Sequence, residues 1–312
     1  MNDHIISNIE ELVGNTPLYK PVRWLRAKGF ANAEAFCKLE GMNVAGSVKD
    51  RAALGMIRSL EEQGRLQEGG TIIEATSGNT GISLAALAAS RGYRAIFVMP
   101  ETMSVERRKF MQAYGAEIVL TSGDGGMTEA IEKAVQLKDE IEGAVIPSQF
   151  DNPANPKYHE ETTGPEIWKQ TDGQVDVLVL GVGTGGTLTG AGRFLKKQNP
   201  DLEIIAVEPS SSAVLSGEAK GKHGIQGIGA GFVPENLDRS LVDRVLTVKT
   251  FDAIEAAREF SRREGVFVGI SAGAALAGVA QVLSDERYSG KRVVTVLPDS
   301  GDRYLSTELL NV

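Results

Sequence analysis

The sequence has little of what marks secreted, membrane-spanning or nucleic-acid-binding proteins. Its 312 residues include one cysteine, Cys37, which excludes an internal disulfide and favours a reducing compartment. The first eight residues lack a basic segment followed by an apolar one, and the apolar run from Ile82 to Ala89 is too short to cross a bilayer. A net charge of −8 leaves no basic excess for nucleic acid. We therefore expect a cytoplasmic protein that binds small molecules, without a nucleic-acid or membrane partner.

Short β-rich runs alternate with segments of helical spacing along most of the chain. Because the strands are apolar on both faces, we expect a three-layer α/β/α fold with mostly parallel, twisted sheets. The predicted strands are 35–39, 71–75, 94–99, 117–121, 144–147, 175–182, 203–207, 244–248, 266–270 and 292–297. The predicted helices are 49–62, 79–90, 104–114, 127–142, 187–198, 250–263 and 272–283.

A connection rich in proline and asparagine, residues 150–156, divides the predicted elements into two groups. The number of predicted strands is also too large for one small sheet. We therefore expect two domains, a smaller one at residues 45–149 and a larger one made of residues 1–44 plus 150–312.

Four loops rich in Gly, Ser and Thr each follow a predicted strand. They are residues 76–81, 181–187, 271–274 and 298–303. In open parallel sheets ligands bind at the carboxyl ends of the strands, so these loops suggest one polar pocket. The alternative is that turns between strands and helices favour small residues and helix caps, which explains one such loop more readily than four.

The turn from Gly181 to Thr187 has the composition of a phosphate-binding loop. Backbone N–H groups at a helix start attract an anion by hydrogen bonds and by the helix dipole, and glycine allows a close approach. With Glu208 at the end of the next strand, the same turn also fits the dinucleotide-binding fingerprint G-x-G-x-x-G. A nicotinamide-dependent dehydrogenase using Gly181 to Gly186 is therefore an alternative, although that fingerprint usually opens its domain on the first strand.

Lys49 lies in the first turn of a predicted helix, where a cation opposes the helix dipole. Ser47 and Asp50 have the spacing of a capping box, with Ser47 as the predicted N-cap. Most lysines are solvated surface charges. At this helix end, however, the dipole favours the neutral amine that Schiff-base chemistry requires.

Four segments, taken in order, resemble the cysteine synthase (O-acetylserine sulfhydrylase) family. They are residues 46–51 (GSVKDR), 76–81 (TSGNTG), 183–187 (GTGGT) and 227–232 (GIGAGF), and the likeness extends from Ile9 to Thr307. That family belongs to the tryptophan-synthase-β-like, fold type II enzymes that use pyridoxal 5′-phosphate. Each segment alone is a weak signal, whereas the ordered set is specific.

The resemblance implies pyridoxal 5′-phosphate as the cofactor, with no metal, and places the family's site residues by position. The Schiff-base lysine falls on Lys49, and the partner of the pyridine nitrogen falls on Ser271. The other cofactor contacts fall on Asn79, Gly183, Thr184, Gly185, Gly186 and Thr187. The substrate contacts fall on Thr76, Ser77, Gly78, Thr80, Gln149 and Gly227. The alternative for Asn79 and Ser271 is helix capping.

The implied reaction is a β-replacement of cysteine biosynthesis, in which O-acetylserine loses acetate and sulfide adds to give cysteine. Val44, Ser271-Ala272 and Pro298-Asp299-Ser300 depart from common family patterns, and the last is also met among cystathionine β-synthases, so homocysteine stays open as the nucleophile. Serine and O-phosphoserine stay open as donors. The family also implies a homodimer whose active site accepts the C-terminal tail of serine acetyltransferase, so a non-enzymatic binding role is a third alternative.

Overall fold

The chain forms two compact units in a computed structural model that describes residues 5–310. Residues 1–4, which began the N-terminal segment considered above for a leader, and residues 311–312 lie outside the described part. The helices are α1 Val22–Ala27, α2 Lys49–Glu62, α3 Asn79–Arg91, α4 Val105–Ala113, α5 Gly126–Glu140, α6 Ala154–Glu161, α7 Thr163–Gln170, α8 Gly186–Gln198, α9 Thr250–Glu264 and α10 Ile270–Leu283. The strands are β1 Leu18–Tyr19, β2 Glu34–Leu39, β3 Thr71–Ala75, β4 Arg94–Pro100, β5 Glu117–Thr121, β6 Val177–Gly181, β7 Glu203–Pro209, β8 Arg244–Val248 and β9 Arg292–Leu297.

The first unit contains residues 5–14 and 43–155. Its sheet has the order β3-β4-β5 with every pair parallel. Ile73, Ile96 and Val98 point to one face, where they pack against the alanines of α5. Since side chains alternate along a strand, Ile72 and Phe97 point to the opposite face, where α3 packs on β4 and α2 packs on α3.

The second unit contains residues 15–42 and 156–310. Its six strands have the order β1-β2-β9-β6-β7-β8, and all neighbours are parallel except the short edge pair β1 and β2. Helix α10 packs across β6 to β9 and against α9, which in turn contacts α1. Trp24 of α1 meets Phe260 of α9 edge to face, with ring centroids 6.2 Å apart. The expected α/β fold with mostly parallel sheets is therefore confirmed.

Two predicted strands are wrong, and both are replaced by single bridges. Residues 144–147 make one parallel bridge, Ile72 to Val145, because Pro147 cannot donate a hydrogen bond and Ser148 turns the chain with φ 58°. Residues 266–270 make one antiparallel bridge, Val268 to Ser300, because α10 already begins at Ile270. In both cases a short apolar run is buried without forming a ladder, and apolar periodicity alone does not distinguish the two outcomes.

The connection predicted at 150–156 contains the start of helix α6, and α1 and α7 were also not predicted. Helix α6 begins at Ala154, which places Pro156 in its first turn, where a missing N–H group breaks no helical hydrogen bond. From the sequence alone, a proline in this position suggests an interruption of secondary structure, although it is compatible with the start of a helix.

The two units differ from the predicted domains at both ends of the smaller one. Residues 5–14 group with the first unit, because Glu10 forms ion pairs with Arg58 and Arg91 and the Asn43 side chain accepts a hydrogen bond from the Gly14 N–H at 2.7 Å. The first unit also extends to Asn155 rather than ending at Gln149. Across residues 5–310, the helices are too short or too polar for any of them to cross a membrane.

We expect Glu10→Gln to lower the free energy of unfolding by about 2 kcal/mol, less than the loss of a fully buried pair, because both arginines reach solvent. Burial raises the pKa of Glu10, but hydrogen bonds from Arg91 and Arg58 outweigh it and hold the pKa below its ordinary value of 4.5. Above pH 4.5 the variant should therefore show the full difference in free energy of unfolding from the wild type. This difference should become smaller as the pH falls through the lowered pKa of Glu10. Unfolding followed by circular dichroism at pH 7 and at pH 3 measures it; equal losses at both values would contradict the ion-pair explanation.

Candidate functional site

The loop after β3 and the first turn of α3, both in the first unit, together contain five of the predicted contact residues. The Thr76 N–H continues the strand ladder by donating to the Val98 carbonyl at 3.1 Å, and Ser77 and Gly78 lead into α3. Helix α3 begins at Asn79, with Gly78 in extended conformation as N-cap and no side-chain hydrogen bond to the cap. Asn79 is therefore not the helix cap, and the backbone N–H groups of the first turn face the loop without a side-chain cap.

Thr80 and Gln149, far apart in sequence, meet directly in the first unit. The Thr80 hydroxyl donates to the Gln149 amide oxygen at 2.6 Å, and both side chains are buried. The Gln149 backbone carbonyl in turn accepts a hydrogen bond from the Asn155 side chain at 2.9 Å. Gln149 is thus held against the start of α3.

Lys49 is the first residue of α2, but the predicted capping box is wrong. The N-cap is Val48 with no side-chain hydrogen bond, although the Ser47 hydroxyl accepts from the Lys49 N–H at 3.3 Å. The fully buried Asp50 carboxylate instead accepts from the Ala45 N–H at 2.6 Å and from the Ser83 hydroxyl of α3. Burial explains the difference, since a buried carboxylate binds the donors that its surroundings supply. Asp50 thereby ties the start of α2 to α3.

The turn between β6 and α8 in the second unit requires glycine at two positions. Gly185 has φ +81°, and a Cβ there would lie 2.7 Å from the Leu237 Cβ and 2.8 Å from the Leu237 nitrogen. A Cβ on Gly183 would lie 2.3 Å from the Gly227 carbonyl oxygen. The turn is therefore held by close backbone approaches within its own unit.

This turn has the donors that a phosphate group requires. Gly185 is the N-cap of α8, the helix begins at Gly186, and no side chain caps it. The buried Thr184 and the half-buried Thr187 place hydroxyl groups beside the first-turn N–H groups. Uncapped N–H groups at the positive end of a helix suit a phosphate dianion, so these residues fit the phosphate of the implied cofactor.

Gly227 brings Ser271 close to the same turn. Gly227 has φ +97°, and its Cβ position is 3.4 Å from the Ser271 hydroxyl, while its carbonyl oxygen faces Gly183. Ser271 is buried at the second position of α10, whose N-cap is Gly269, so it is not the cap. The predicted loop 271–274 lies inside this helix rather than after a strand. The structure nevertheless unites Gly183, Gly227 and Ser271 in one place.

His159 is a residue of this cluster that the sequence did not indicate. Its Nε2 lies 3.2 Å from the Thr187 hydroxyl, and its Nδ1 lies 2.8 Å from the Thr163 hydroxyl. The ring is buried and bridges α6 to the start of α8. Thr187 follows far along the chain, so spacing could not have linked the two, and His159 falls next to a segment that was predicted to be a connection.

Glu208, the acidic member of the dinucleotide fingerprint, is occupied by its own loop. Its buried carboxylate accepts from the Leu215 N–H at 2.7 Å, from the Ser216 N–H at 3.0 Å and from the Ser216 hydroxyl at 2.6 Å. A carboxylate that shapes a loop in this way is not presented to a ribose. The dehydrogenase alternative therefore loses the residue on which its fingerprint depends.

The chain is similar to known proteins along nearly its whole length. Residues 9–299 match the family described as pyridoxal-phosphate dependent enzymes. The chain is similar to a cysteine synthase of Staphylococcus aureus (strain Mu50), with 50% identity over 306 residues and 97% of each chain covered. Its structure is similar to cysteine synthase (OASS) from Entamoeba histolytica, with a TM-score of 0.93, 41% identity, and 100% and 93% of the chains covered. An O-ureido-L-serine synthase structure has a TM-score of 0.91 at 41% identity, with 99% and 96% covered.

We expect Gly185→Ala to lower the free energy of unfolding of the second unit by about 3 kcal/mol, because it combines a left-handed backbone with a clash against Leu237. Gly265→Ala is the matched control, since Gly265 has φ +70° but open space around its Cβ position, so its loss should be about 1 kcal/mol. Both tryptophans of the chain, Trp24 and Trp168, lie in the second unit, so urea unfolding followed by tryptophan fluorescence reports on it. Equal losses would show that the contact with Leu237 does not constrain the turn.

Proposed function

Because this chain belongs to the pyridoxal-phosphate dependent enzyme family, we propose that it converts O-acetyl-L-serine and sulfide to L-cysteine and acetate. The observation that carries the proposal is the similarity to cysteine synthases along nearly the whole chain. The residues that the family would use also fall into two built clusters. One lies around Thr80 and Gln149 in the first unit, and the other lies around Gly183 and Ser271 in the second.

The second-unit cluster would hold the cofactor. The first-turn N–H groups of α8 and the Thr184 and Thr187 hydroxyls would bind the phosphate, with Thr187 oriented by His159. Ser271 would face the pyridine nitrogen with a hydroxyl rather than a charged group. When bound, pyridoxal 5′-phosphate withdraws electrons from the α-carbon of an attached amino acid, so that a β-substituent can leave.

The first-unit residues would supply the covalent attachment, the proton transfer and the substrate contacts. The Lys49 Nζ would attach the cofactor and then accept the α-proton of the substrate. Asp50 would hold the Lys49 backbone in place through Ala45 and Ser83. The start of α3, with Asn79 beside the cofactor and Thr76, Ser77, Thr80 and Gln149 around the carboxylate, would bind the substrate.

We expect the enzyme loaded with cofactor to form cysteine from O-acetylserine and sulfide roughly a hundredfold faster than it forms cystathionine with homocysteine. Lys49→Ala should lower cysteine formation about a thousandfold, because it removes the group that accepts the α-proton. Product analysis by mass spectrometry, with O-acetylserine, serine and O-phosphoserine as donors, measures both. Faster turnover with homocysteine would assign the other nucleophile, and an unchanged Lys49→Ala rate would remove Lys49 from the chemistry.

We also propose that the chain acts in the cytoplasm as a homodimer and binds the C-terminal tail of serine acetyltransferase. The single buried thiol of Cys37 suits a reducing compartment. Because a homodimer contains two chains, light scattering should give a molecular mass of about twice the 33.3 kDa of one chain. A tail peptide should compete with O-acetylserine and still bind Lys49→Ala, since a carboxylate would contact α3 rather than the lysine. A monomer, or tail binding without competition, would contradict this assembly.

A further inference from the structure

Glu74 is a buried acid in the middle of a strand. It lies in β3, two residues before the loop that begins at Thr76, and only 5% of its surface is exposed. No cation within residues 5–310 forms an ion pair with it. Its carboxylate accepts instead from the backbone N–H of Ser148 at 3.1 Å, and the backbone of Gln149 also helps to lower its pKa.

A carboxylate buried without a cation is costly. When Glu74 is charged, its carboxylate has lost the hydrogen bonds that water would make, and backbone N–H donors replace only part of them. The neighbouring Ile72 and Ile73 show that this strand accommodates apolar side chains. An apolar residue at position 74 would avoid this free-energy cost. The segment that the Glu74 carboxylate binds therefore has to explain why an acid is present.

The segment that Glu74 holds is a strained turn. Ser148 has φ 58°, a left-handed conformation that a serine adopts only when its surroundings impose it. The Asn152 N–H donates to the Ser148 carbonyl at 2.9 Å, and the Asn152 side chain donates to the Pro147 carbonyl at 2.8 Å. Gln149 follows directly and accepts from Thr80.

Glu74 and Thr80 therefore approach Gln149 by different routes from the same stretch of chain. Glu74 binds the main chain at Ser148, directly before Gln149, whereas Thr80 binds the Gln149 side chain. Together the two contacts determine both the position and the direction of the Gln149 amide.

We propose that Glu74 is a positioning residue for the substrate-carboxylate site, which holds Gln149 against Thr80 by accepting the backbone N–H group of Ser148, the residue directly before Gln149. This inference rests on the proposed function, which gives Gln149 and Thr80 to the substrate. The hold on residues 148 and 149, however, is a property of the first unit and is measurable without any substrate.

The hold depends on the charge of Glu74. Burial raises the pKa of Glu74 to about 7, the N–H groups of Ser148 and Gln149 oppose that rise, and the charge of Asp151 adds to it. Above pH 7 the charged carboxylate accepts the Ser148 N–H, and below pH 7 protonation of Glu74 weakens this hydrogen bond. Since the pKa in the folded protein lies above the ordinary 4.5, ionisation of Glu74 makes the fold less stable as the pH rises from 4.5 to 7. At pH 8 Glu74→Gln should therefore retain or gain thermal stability while it loses the hold.

The test compares the wild type, Glu74→Gln and Glu10→Gln as holoenzymes between pH 6 and pH 8.5. At pH 8 we expect Glu74→Gln to raise the KM for O-acetylserine about tenfold with little change in kcat, because a charge-assisted hold on the substrate contact is lost. The wild-type KM should fall as the pH rises through 7, and the variant should lose this dependence. Glu10→Gln is the control. It replaces a buried glutamate near the far end of α3, so it should lower stability and leave the KM for O-acetylserine unchanged.

Amide hydrogen exchange supplies a readout that needs no turnover. Exchange at Ser148 and Gln149 should be about tenfold faster in Glu74→Gln than in the wild type at pH 8, and unchanged in Glu10→Gln. If Ser148 and Gln149 exchange at the wild-type rate in Glu74→Gln, the proposal is overturned. Faster exchange in Glu74→Gln with an unchanged KM for O-acetylserine also overturns it. If Glu74→Gln fails to fold, Glu74→Asp keeps the charge on a shorter side chain and should show a smaller rise in both quantities.

The two proposals fail in distinguishable ways. A wild type that does not consume O-acetylserine contradicts the proposed function, and the exchange comparison then decides whether Glu74 holds residues 148 and 149. A wild type that makes cysteine, with Glu74→Gln unchanged in both KM and exchange, leaves the function intact and overturns the role of Glu74.

Discussion

Every helix begins with backbone N–H groups that the helix itself cannot satisfy, and this constraint shapes the candidate site. Nearly all of the predicted site residues lie in the first turns of helices α2, α3, α8 and α10 or in the loops that lead directly into these helices, and none of the four helices has a side-chain hydrogen bond at its N-cap. By contrast, Ser104 caps the peripheral helix α4. Uncapped starts alone do not mark a site, since α5 and α9 also lack side-chain caps. Where glycine turns follow parallel strands, however, the open N–H groups provide donors for phosphate and carboxylate.

Buried carboxylates organise the loops around these helix starts, each with different partners. Glu10 is neutralised by arginines, and Asp50 and Glu208 use neighbouring N–H and hydroxyl groups. Glu74 accepts from the backbone N–H of Ser148 and has no cation partner among residues 5–310, and burial raises its pKa. A carboxylate with an arginine partner fixes one side chain to another, whereas one that binds N–H groups fixes the main chain. Carboxylates that bind backbone N–H groups, such as those of Glu208 and Glu74, are therefore the ones that determine loop geometry.

Strand–helix alternation was enough to predict the α/β fold, because apolar strands buried on both faces are a strong signal of parallel sheets. The signal fails where an apolar run is buried without a ladder, as at Val145 and Val268, since burial and strand pairing have the same pattern in sequence. Local spacing also misled at Asp50, whose S-x-x-D pattern predicts a capping box, while tertiary contacts direct the carboxylate to Ala45 and Ser83. The roles of His159 and Glu74 depend on contacts between distant segments, which a single sequence does not contain.

The cluster of predicted site residues in each unit is held by contacts within that unit. In the first unit, Asp50 joins α2 to α3, and Thr80 joins α3 to Gln149. In the second, the close approach of Gly183 to Gly227 fixes the turn, and His159 orients Thr187. Such contacts lower the entropy lost on binding, because donors already in place need not be ordered by the ligand. The same contacts explain why costly features such as the left-handed Ser148 and the buried Glu74 persist: the free energy they require comes from the packing of the whole unit, and the benefit is a fixed set of donors.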